Sequence, residues 1–364
     1  MNMSRVVGSK EGRNKGLQLG IEHGRRMGRC QFVLDTCKPA GIPIREVSVL
    51  FIPQGFDAID TGIIEGLQQT VRVVHTATAA DMLRVAAELR PNLVLVMNGL
   101  HVFPADHAAH IDGIRMMGIR TAIWFADDPY FTDYSTPLAP HYDYVFTHEM
   151  SCIPLYQGAG CQQVHYLPLA ASQSLFKPMQ VGHEYRSDVC FIGVGFPNRI
   201  ALFNTIAPYL AGRKVILAGP LWNQLQHFSQ FKHGIHLQGV PMRESVNYYN
   251  GAKIVLNMHR LTYDATYNKN SRNLPGYSIN PRTYEISGCG ALQITDRRSD
   301  LVNYYTPGHD IETFEHPNEL IHKINHYLLH EEERLRIATN ALRRTILEHT
   351  YAPRLAKLLD IIFT

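Results

Sequence analysis

The segment Ser278–Asp296, SINPRTYEISGCGALQITD, gathers residue types able to hold a phosphorylated ligand. Asn280 can cap a helix through its side chain, and Pro281 suits the first helical position. The backbone N–H groups at such a start, together with the helix dipole, favour an anion. Arg282 adds a permanent charge whose planar fork matches phosphate. Glu285 follows three positions later on the same helical face, where a carboxylate can accept hydrogen bonds from ribose hydroxyls. Gly288 and Gly290 end the predicted helix and allow a ligand or another backbone to come close. Taken alone, the same pattern also describes a capped helix with an Arg–Glu surface pair.

A second stretch carries similar chemistry. CFIGVGFPNR reads as a strand running into a glycine turn, Gly193 and Gly195, with Arg199 at the start of a helix. Two anion-suited helix starts in one sheet domain suggest a nucleotide diphosphate. Further upstream, WFADDP ends a predicted strand in Asp127 and Asp128, where a general base or a sugar-hydroxyl acceptor would sit. A turn or helix cap is the competing reading of those two aspartates. Asn98 ends a neighbouring strand, His148 and Glu149 end another, and Asn257, His259 and Arg260 end a strand of the later half. Asn98, His148, Asn257 and His259 are therefore further candidates for a cleft. LTYDATYNKNSRNLPGYS is polar, tyrosine-rich and long for a structureless connection, as functional lids and mobile segments are.

These residues need elements to position them, and the pattern is a regular βα alternation. VRVVHT and LVLVM read as strands and AADMLRVAAELR as a helix; RTAIWF and YDYVFT continue the series. Strands apolar on both faces between helices predict a parallel sheet covered by helices. The alternation breaks at PLAASQSLFKP, a plausible linker, and resumes with SDVCFIGVG, RKVILAG, GIHLQGVP and KIVLNMH. The expected organisation is an α/β pair of Rossmann-like domains facing each other across a cleft. Its parts are an N-terminal helical extension over 1–44, a first domain over 45–172, a nucleotide-binding domain over 173–340, and C-terminal helices over 341–364. In such sheets ligands sit beyond the carboxyl ends of the strands. Within the extension, Leu17, Ile21, Phe32 and Leu34 form the expected apolar stripe.

Bulk properties narrow the function classes. A chain of 364 residues, 45% hydrophobic and 18% charged, is long for one core and suits two domains. A net charge of +3 is too mild to argue for nucleic acid or an anionic membrane. No window approaches ~18 uninterrupted apolar residues, and the polar N-terminus lacks the apolar core of a signal peptide, so a cytoplasmic location is the expectation. The six cysteines are scattered without a Cys-x-x-Cys pair and read as reduced thiols. The 19 histidines form no metal motif, and His107 and His110, three apart, read as a solvated helix face.

GYSINPRTYEISGCGALQITDRRSDL, preceded by WFADDP, CFIGVGFPNR and LNMHR in that order, resembles the CgeB/YkvP-type spore-maturation glycosyltransferases from about Val47 to the C-terminus. The residues up to about Lys38 lie outside the likeness. The resemblance implies a GT-B fold whose C-terminal domain holds a nucleotide-sugar donor, with UDP the expected nucleotide and a glycan or protein hydroxyl as acceptor. It implies that Glu285 binds the donor ribose with Gly288 and Gly290 beside it, and that Gly193, Gly195 and Arg199 lie near the donor phosphates. It further implies no cofactor and no metal at the diphosphate. Asp128 or Asp127 would be the acceptor-side base of an inverting reaction and would orient substrate in a retaining one. One departure stands out: the wider retaining pattern has a second glutamate eight residues before the ribose-binding one, where this chain has Tyr277. An epimerase on the same fold and a non-catalytic sugar-binding scaffold are the rival expectations.

Overall fold

The computed structural model describes residues 3–364, with side chains from residue 11 onward apart from residue 15. Met1 and Asn2 of the polar N-terminal stretch lie outside the described residues. The first sheet comprises β1 (Arg45–Ile52), β2 (Val71–Thr76), β3 (Leu93–Met97), β4 (Arg120–Phe125), β5 (Tyr144–Thr147) and β6 (Val164–Tyr166). The second comprises β7 (Ser187–Ile192), β8 (Val215–Ala218), β9 (Ile235–His236), β10 (Ala252–Asn257), β11 (Leu292–Asp296) and β12 (Glu312–Phe314). Before and between the strands of the first sheet run α1 (Met3–Thr36), α2 (Asp57–Gln68), α3 (Met82–Leu89), α4 (His107–Met116), α5 (Thr132–Leu138) and α6 (Ile153–Gly158). The second half adds α7 (Pro197–Ile206), α8 (Phe228–Phe231), α9 (Met242–Gly251) and α10 (Pro281–Gly288). It ends with α11 (Pro317–Leu329), α12 (Glu331–Glu348) and α13 (Tyr351–Phe363).

Every strand pairing is parallel, with orders β2-β1-β3-β4-β5-β6 and β12-β11-β10-β7-β8-β9. The second order is the dinucleotide-fold order 3-2-1-4-5-6 counted from β7, and its chain reversal falls between β7 and β10. The first reverses between β1 and β3. Both reversals open crevices at the carboxyl ends of strands, which is where the candidate residues lie. The three-residue edge strands β6 and β12 escape sequence reading because so few residues carry no periodic signal.

Strands β3 and β4 are buried almost throughout because helices cover both faces of the sheet. One face packs against α13, whose Leu355, Leu358, Leu359 and Ile362 join Val49, Phe51 and Leu95 in a single cluster. The C-terminal helix thus returns to the first sheet. Gly62 and Gly66 on α2 make that return possible, since a Cβ at either would meet Tyr351 or Leu355 at 2.2 and 2.6 Å. The segment after β6 is packed rather than loose: Ala171 bridges to Thr350, and Phe176 is buried.

Two expectations are corrected. Leu17, Ile21 and Phe32 of α1 are exposed, at 65, 41 and 61%. The packed face is instead Cys30, Val33, Leu34 and Cys37, seated on Leu342 and Ile346 of α12. Two short, weakly hydrophobic cysteines hid that stripe from a reading based on large aliphatics. His107 is not on a solvated face: it is 4% exposed, with one ring nitrogen on Gly99 O at 3.1 Å and the other on the Tyr142 hydroxyl. Burial pushes its pKa down to about 4. All six cysteines are free thiols, and five of them are buried. Among the described residues no helix is long and apolar enough to cross a membrane.

The α13 contact has a measurable weight. Leu355→Ala should destabilise the protein by about 2–5 kcal/mol, the range for emptying a buried leucine site. Leu329→Ala, at a side chain 77% exposed, should move the urea midpoint little. Equal shifts for the two variants would show that α13 does not anchor the first domain.

Candidate active site in the interdomain cleft

The carboxyl ends of β4, β5, β7 and β10 and the start of α10 converge on a cavity of about 290 Å³. Its position is set by how α10 begins. Asn280 caps the helix by accepting from Thr283 N at 3.2 Å. The same side chain makes a reciprocal amide pair with Asn257: each Nδ2 donates to the other's Oδ1 at 3.0 Å. His259 Nε2 accepts from Asn280 N at 2.9 Å, so this ring carries its proton on Nδ1, which lies 2.7 Å from Asp296 Oδ1. Burial lowers the His259 pKa even beside that carboxylate, consistent with a neutral ring. Burial pushes the Asp296 carboxyl up, but His259 and Arg298 outweigh it and leave it at about 2. Asn257, Asn280 and His259 therefore hold the helix start in place. The Asn280 and Thr283 N–H groups are spent inside the protein, so the charge offered to a ligand comes from side chains.

That charge is concentrated. Arg199, Arg260 and Arg282 all line the cavity. Arg282 enters no ion pair or side-chain hydrogen bond among the described residues, and its guanidinium lies close to Gly193. Arg199 is 4% exposed and donates to Met258 O at 2.9 Å and Val194 O at 2.9 Å. Burial, with Arg282 beside it, lowers its pKa to about 9. The sequence reading placed Arg199 on donor phosphates; its fork is largely committed to the strand-end carbonyls that shape the glycine turn. Arg260 stacks on Tyr130 at 3.9 Å, and burial lowers its pKa as well. Gly193 faces the arginines, while Gly195 packs against Trp222.

On the other wall, the two neighbouring aspartates have different environments. Asp128 is 1% exposed, with the Tyr156 hydroxyl 2.8 Å from Oδ1 and the Thr147 hydroxyl 2.6 Å from Oδ2. Burial raises its pKa to about 6 despite these donors. Asp127 is more open. Its Oδ2 accepts from Asn98 Nδ2 at 2.8 Å and His101 Nε2 at 2.9 Å, leaving Oδ1 free of partners among the described residues. Asn98 also accepts from the Ala126 and Asp127 N–H groups, so it sets the aspartate's position. The hydrogen bond to Asp127 raises the His101 pKa. His148 lines the same wall, 5% exposed, with neither ring nitrogen hydrogen-bonded.

Glu149 does something the sequence did not disclose. Its carboxylate crosses between domains to accept from Tyr277 N and Ser278 N at 3.1 Å. The polar connection over 261–278 lies against the first domain rather than hanging free. Lys269 N donates to Tyr130 O at 2.7 Å, and Ser271 donates to Asp133. Glu285 lies deeper than the cavity wall, 3% exposed; burial raises its pKa to about 7, and Arg282 lowers it only partly. The space over Gly288 and Gly290, expected to admit a ligand, is taken by Phe176 O and Cys30 Sγ, 2.9 and 2.7 Å from where a Cβ would stand. The two glycines serve packing of the interdomain segment and α1. Sequence reasoning missed His101 altogether; its one signal is its place just after Asn98-Gly99 at a strand end.

Residues 199–360 match a family described as glycosyl transferase-like. The chain is 29% identical to the spore protein CgeB of Bacillus subtilis (strain 168) over 322 residues, covering 86% of this chain and 98% of that protein. Among solved structures, Anabaena HepE in complex with UDP-glucose superposes with a TM-score of 0.59 at 11% identity, covering 87% of this chain and 99% of that one. Sucrose-phosphate synthase from Thermosynechococcus elongatus gives 0.57 at 11% identity, covering 88 and 99%. With two Rossmann-like sheets and a cleft between them, the chain is a glycosyltransferase of the GT-B class. Its likeness to the spore protein CgeB runs along most of both chains.

Asp128 offers a direct test of the wall's electrostatics. Its carboxyl sits above the usual range, so the folded protein keeps a proton that the unfolded chain releases. Stability should therefore fall as pH rises from about 4 to about 6. Asp128→Asn removes that titration, so the variant's Tm relative to the parent should climb across this window and then level. A difference that stays constant with pH would show that Asp128 is not held protonated by burial.

Proposed function

We propose that the cleft moves a sugar from a UDP-sugar to a hydroxyl of a glycan or protein acceptor, in spore or cell-surface glycosylation, without a metal at the diphosphate. The observation that carries this reading is the Arg282 guanidinium, unpaired and on the cavity wall with Arg260 and Arg199 beside it. Such a fixed cationic cluster stabilises the charge that develops on a departing diphosphate. The known complex of Anabaena HepE with UDP-glucose supports UDP as the nucleotide, and the likeness to a spore protein supports the setting.

In this reading the acceptor oxygen bonds to the anomeric carbon as the bond to the diphosphate oxygen breaks, and UDP leaves with the electron pair. Asp127 Oδ1 takes the acceptor proton; Asn98 and His101 hold Oδ2 and fix the direction in which Oδ1 points. His148 presents two buried, unpartnered nitrogens to sugar hydroxyls. Glu285 receives the ribose hydroxyls. Asp128 keeps the turn in shape rather than exchanging protons with substrate.

Release of UDP from a panel of UDP-sugars, in the presence of EDTA and candidate acceptors, tests this reading. Asp127→Asn should lower kcat by about 10²–10⁴-fold while UDP affinity holds within about twofold; unchanged turnover would remove Asp127 from the chemistry. For Glu285 the sign is set by its raised pKa. Ribose hydroxyls donate to the ionised carboxylate, so UDP binding should tighten as pH rises through about 7. Glu285→Gln should flatten that dependence relative to the parent, and identical profiles would place the ribose elsewhere.

A further inference from the structure

A second cavity lies at the opposite end of the nucleotide-binding sheet, where the amino ends of β7, β10 and β11 meet α1 and α12. It is separated from the cleft by the six-residue length of β7, about 17 Å at 3.3 Å per residue. Its volume is about 170 Å³, slightly above the ~150 Å³ cavity that holds a benzene ring. Three arginines reach it from three elements: Arg26 on α1, Arg186 just before β7 and Arg334 on α12. None of the three enters an ion pair among the described residues. Arg26 donates to Asn250 Oδ1 at 2.7 Å and to Cys289 O, and Arg334 to Tyr327 O at 2.6 Å. Arg334 is 7% exposed, so its charge is held away from bulk water.

The carboxylates at the cavity leave cationic charge over. Asp188 is taken by Lys253 at 3.1 Å. Glu331 and Glu22 balance Arg334 only beyond contact distance. Three polar atoms on the wall are buried and without partners: Arg186 Nε, Ser187 Oγ and Glu331 Oε1. Ser187 is 5% exposed, so water does not reach it from outside. Each such atom costs stability unless something pairs with it. The three ask for different things. A guanidinium N–H asks for an acceptor, a carboxylate oxygen asks for a donor, and a serine hydroxyl accepts either.

We propose that this cavity is a binding site for a small hydroxylated phosphate monoester. The phosphate would meet Arg186, Arg26 and Arg334, for which guanidinium forks are suited. A hydroxyl of the same molecule would donate to Glu331 Oε1, and Ser187 would bond to either part. Alanine and leucine side chains at 252, 291, 292 and 335 floor the cavity and accommodate the carbon skeleton. An inorganic anion with no proton to donate, such as sulfate, satisfies Arg186 but leaves Glu331 unpaired and repelled. Because the walls come from α1, the sheet and α12, the ligand would tie the N-terminal helix to the domain that holds the donor.

The test is calorimetry on the full chain, saturated with UDP, using glycerol 3-phosphate and ribose 5-phosphate as probes against glycerol and sulfate. An ester should bind at millimolar concentration or better, glycerol should not, and sulfate should be about tenfold weaker or more. Arg186→Gln should weaken the ester by about tenfold or more and leave UDP affinity unchanged. Ser187→Ala, a smaller change that keeps the fold testable, should weaken it several-fold. Absence of ester binding, binding equal in Arg186→Gln, or displacement by UDP would overturn the proposal. UDP affinity is read separately, so failure of the donor-site reading leaves this result interpretable.

Discussion

The reciprocal amide pair between Asn257 and Asn280 is the constraint on which the cleft depends. It joins the tail of β10 to the first residue of α10, and His259, held by Asp296, fixes the Asn280 backbone from the other side. Asn257 is buried and Asn280 half-buried, and a hydrogen bond there is strengthened by the lowered local dielectric. Once α10 starts at that point, Arg282, its second residue, faces the glycine turn at the end of β7, and Glu285 lies behind it. The chain reversal between β7 and β10 supplies the crevice, and the amide pair aims the charge into it.

The electrostatic design follows from burial. Three arginines are gathered on one wall, and their mutual repulsion is offset by backbone carbonyls, aromatic faces and the more distant carboxylates of Asp296, Asp127 and Asp264. Such a cluster carries a standing cost that an anionic ligand relieves, so affinity and catalysis draw on the same feature. Across the cleft the acids are sorted by their surroundings. Asp128 is buried and drawn toward its protonated form, while Asp127 is held through one oxygen by Asn98 and His101 with the other open. Glu149 and the strap over 261–278 then link the two walls, so the spacing between base and arginines is set by hydrogen bonds rather than by the linker alone.

Much of this was legible in the sequence, because βα alternation with strands apolar on both faces has few other solutions. Strands β7 to β10, the Asn280 cap and the place of Arg282 at the helix start followed from local patterns with known geometry. What stayed hidden depends on contacts between distant segments. No local pattern distinguishes Asp127 from Asp128, since their difference comes from Tyr156 and Thr147 on one side and His101 on the other. Gly288 and Gly290 looked like ligand space because a glycine states only that something comes close; here it is Phe176 and Cys30. The packed face of α1 was missed because its cysteines carry little hydrophobic signal, and His107 because a buried histidine resembles a surface one until Tyr142 is in view.

Isothermal calorimetry of UDP against the parent protein and Arg282→Gln, both in EDTA, tests the central claim most directly. Losing one charge-assisted contact to the diphosphate should weaken binding by about 10- to 150-fold, with the parent binding fully in the absence of divalent metal. Binding that needs added magnesium, or that is the same in both proteins, would contradict an arginine-built diphosphate site in this cleft.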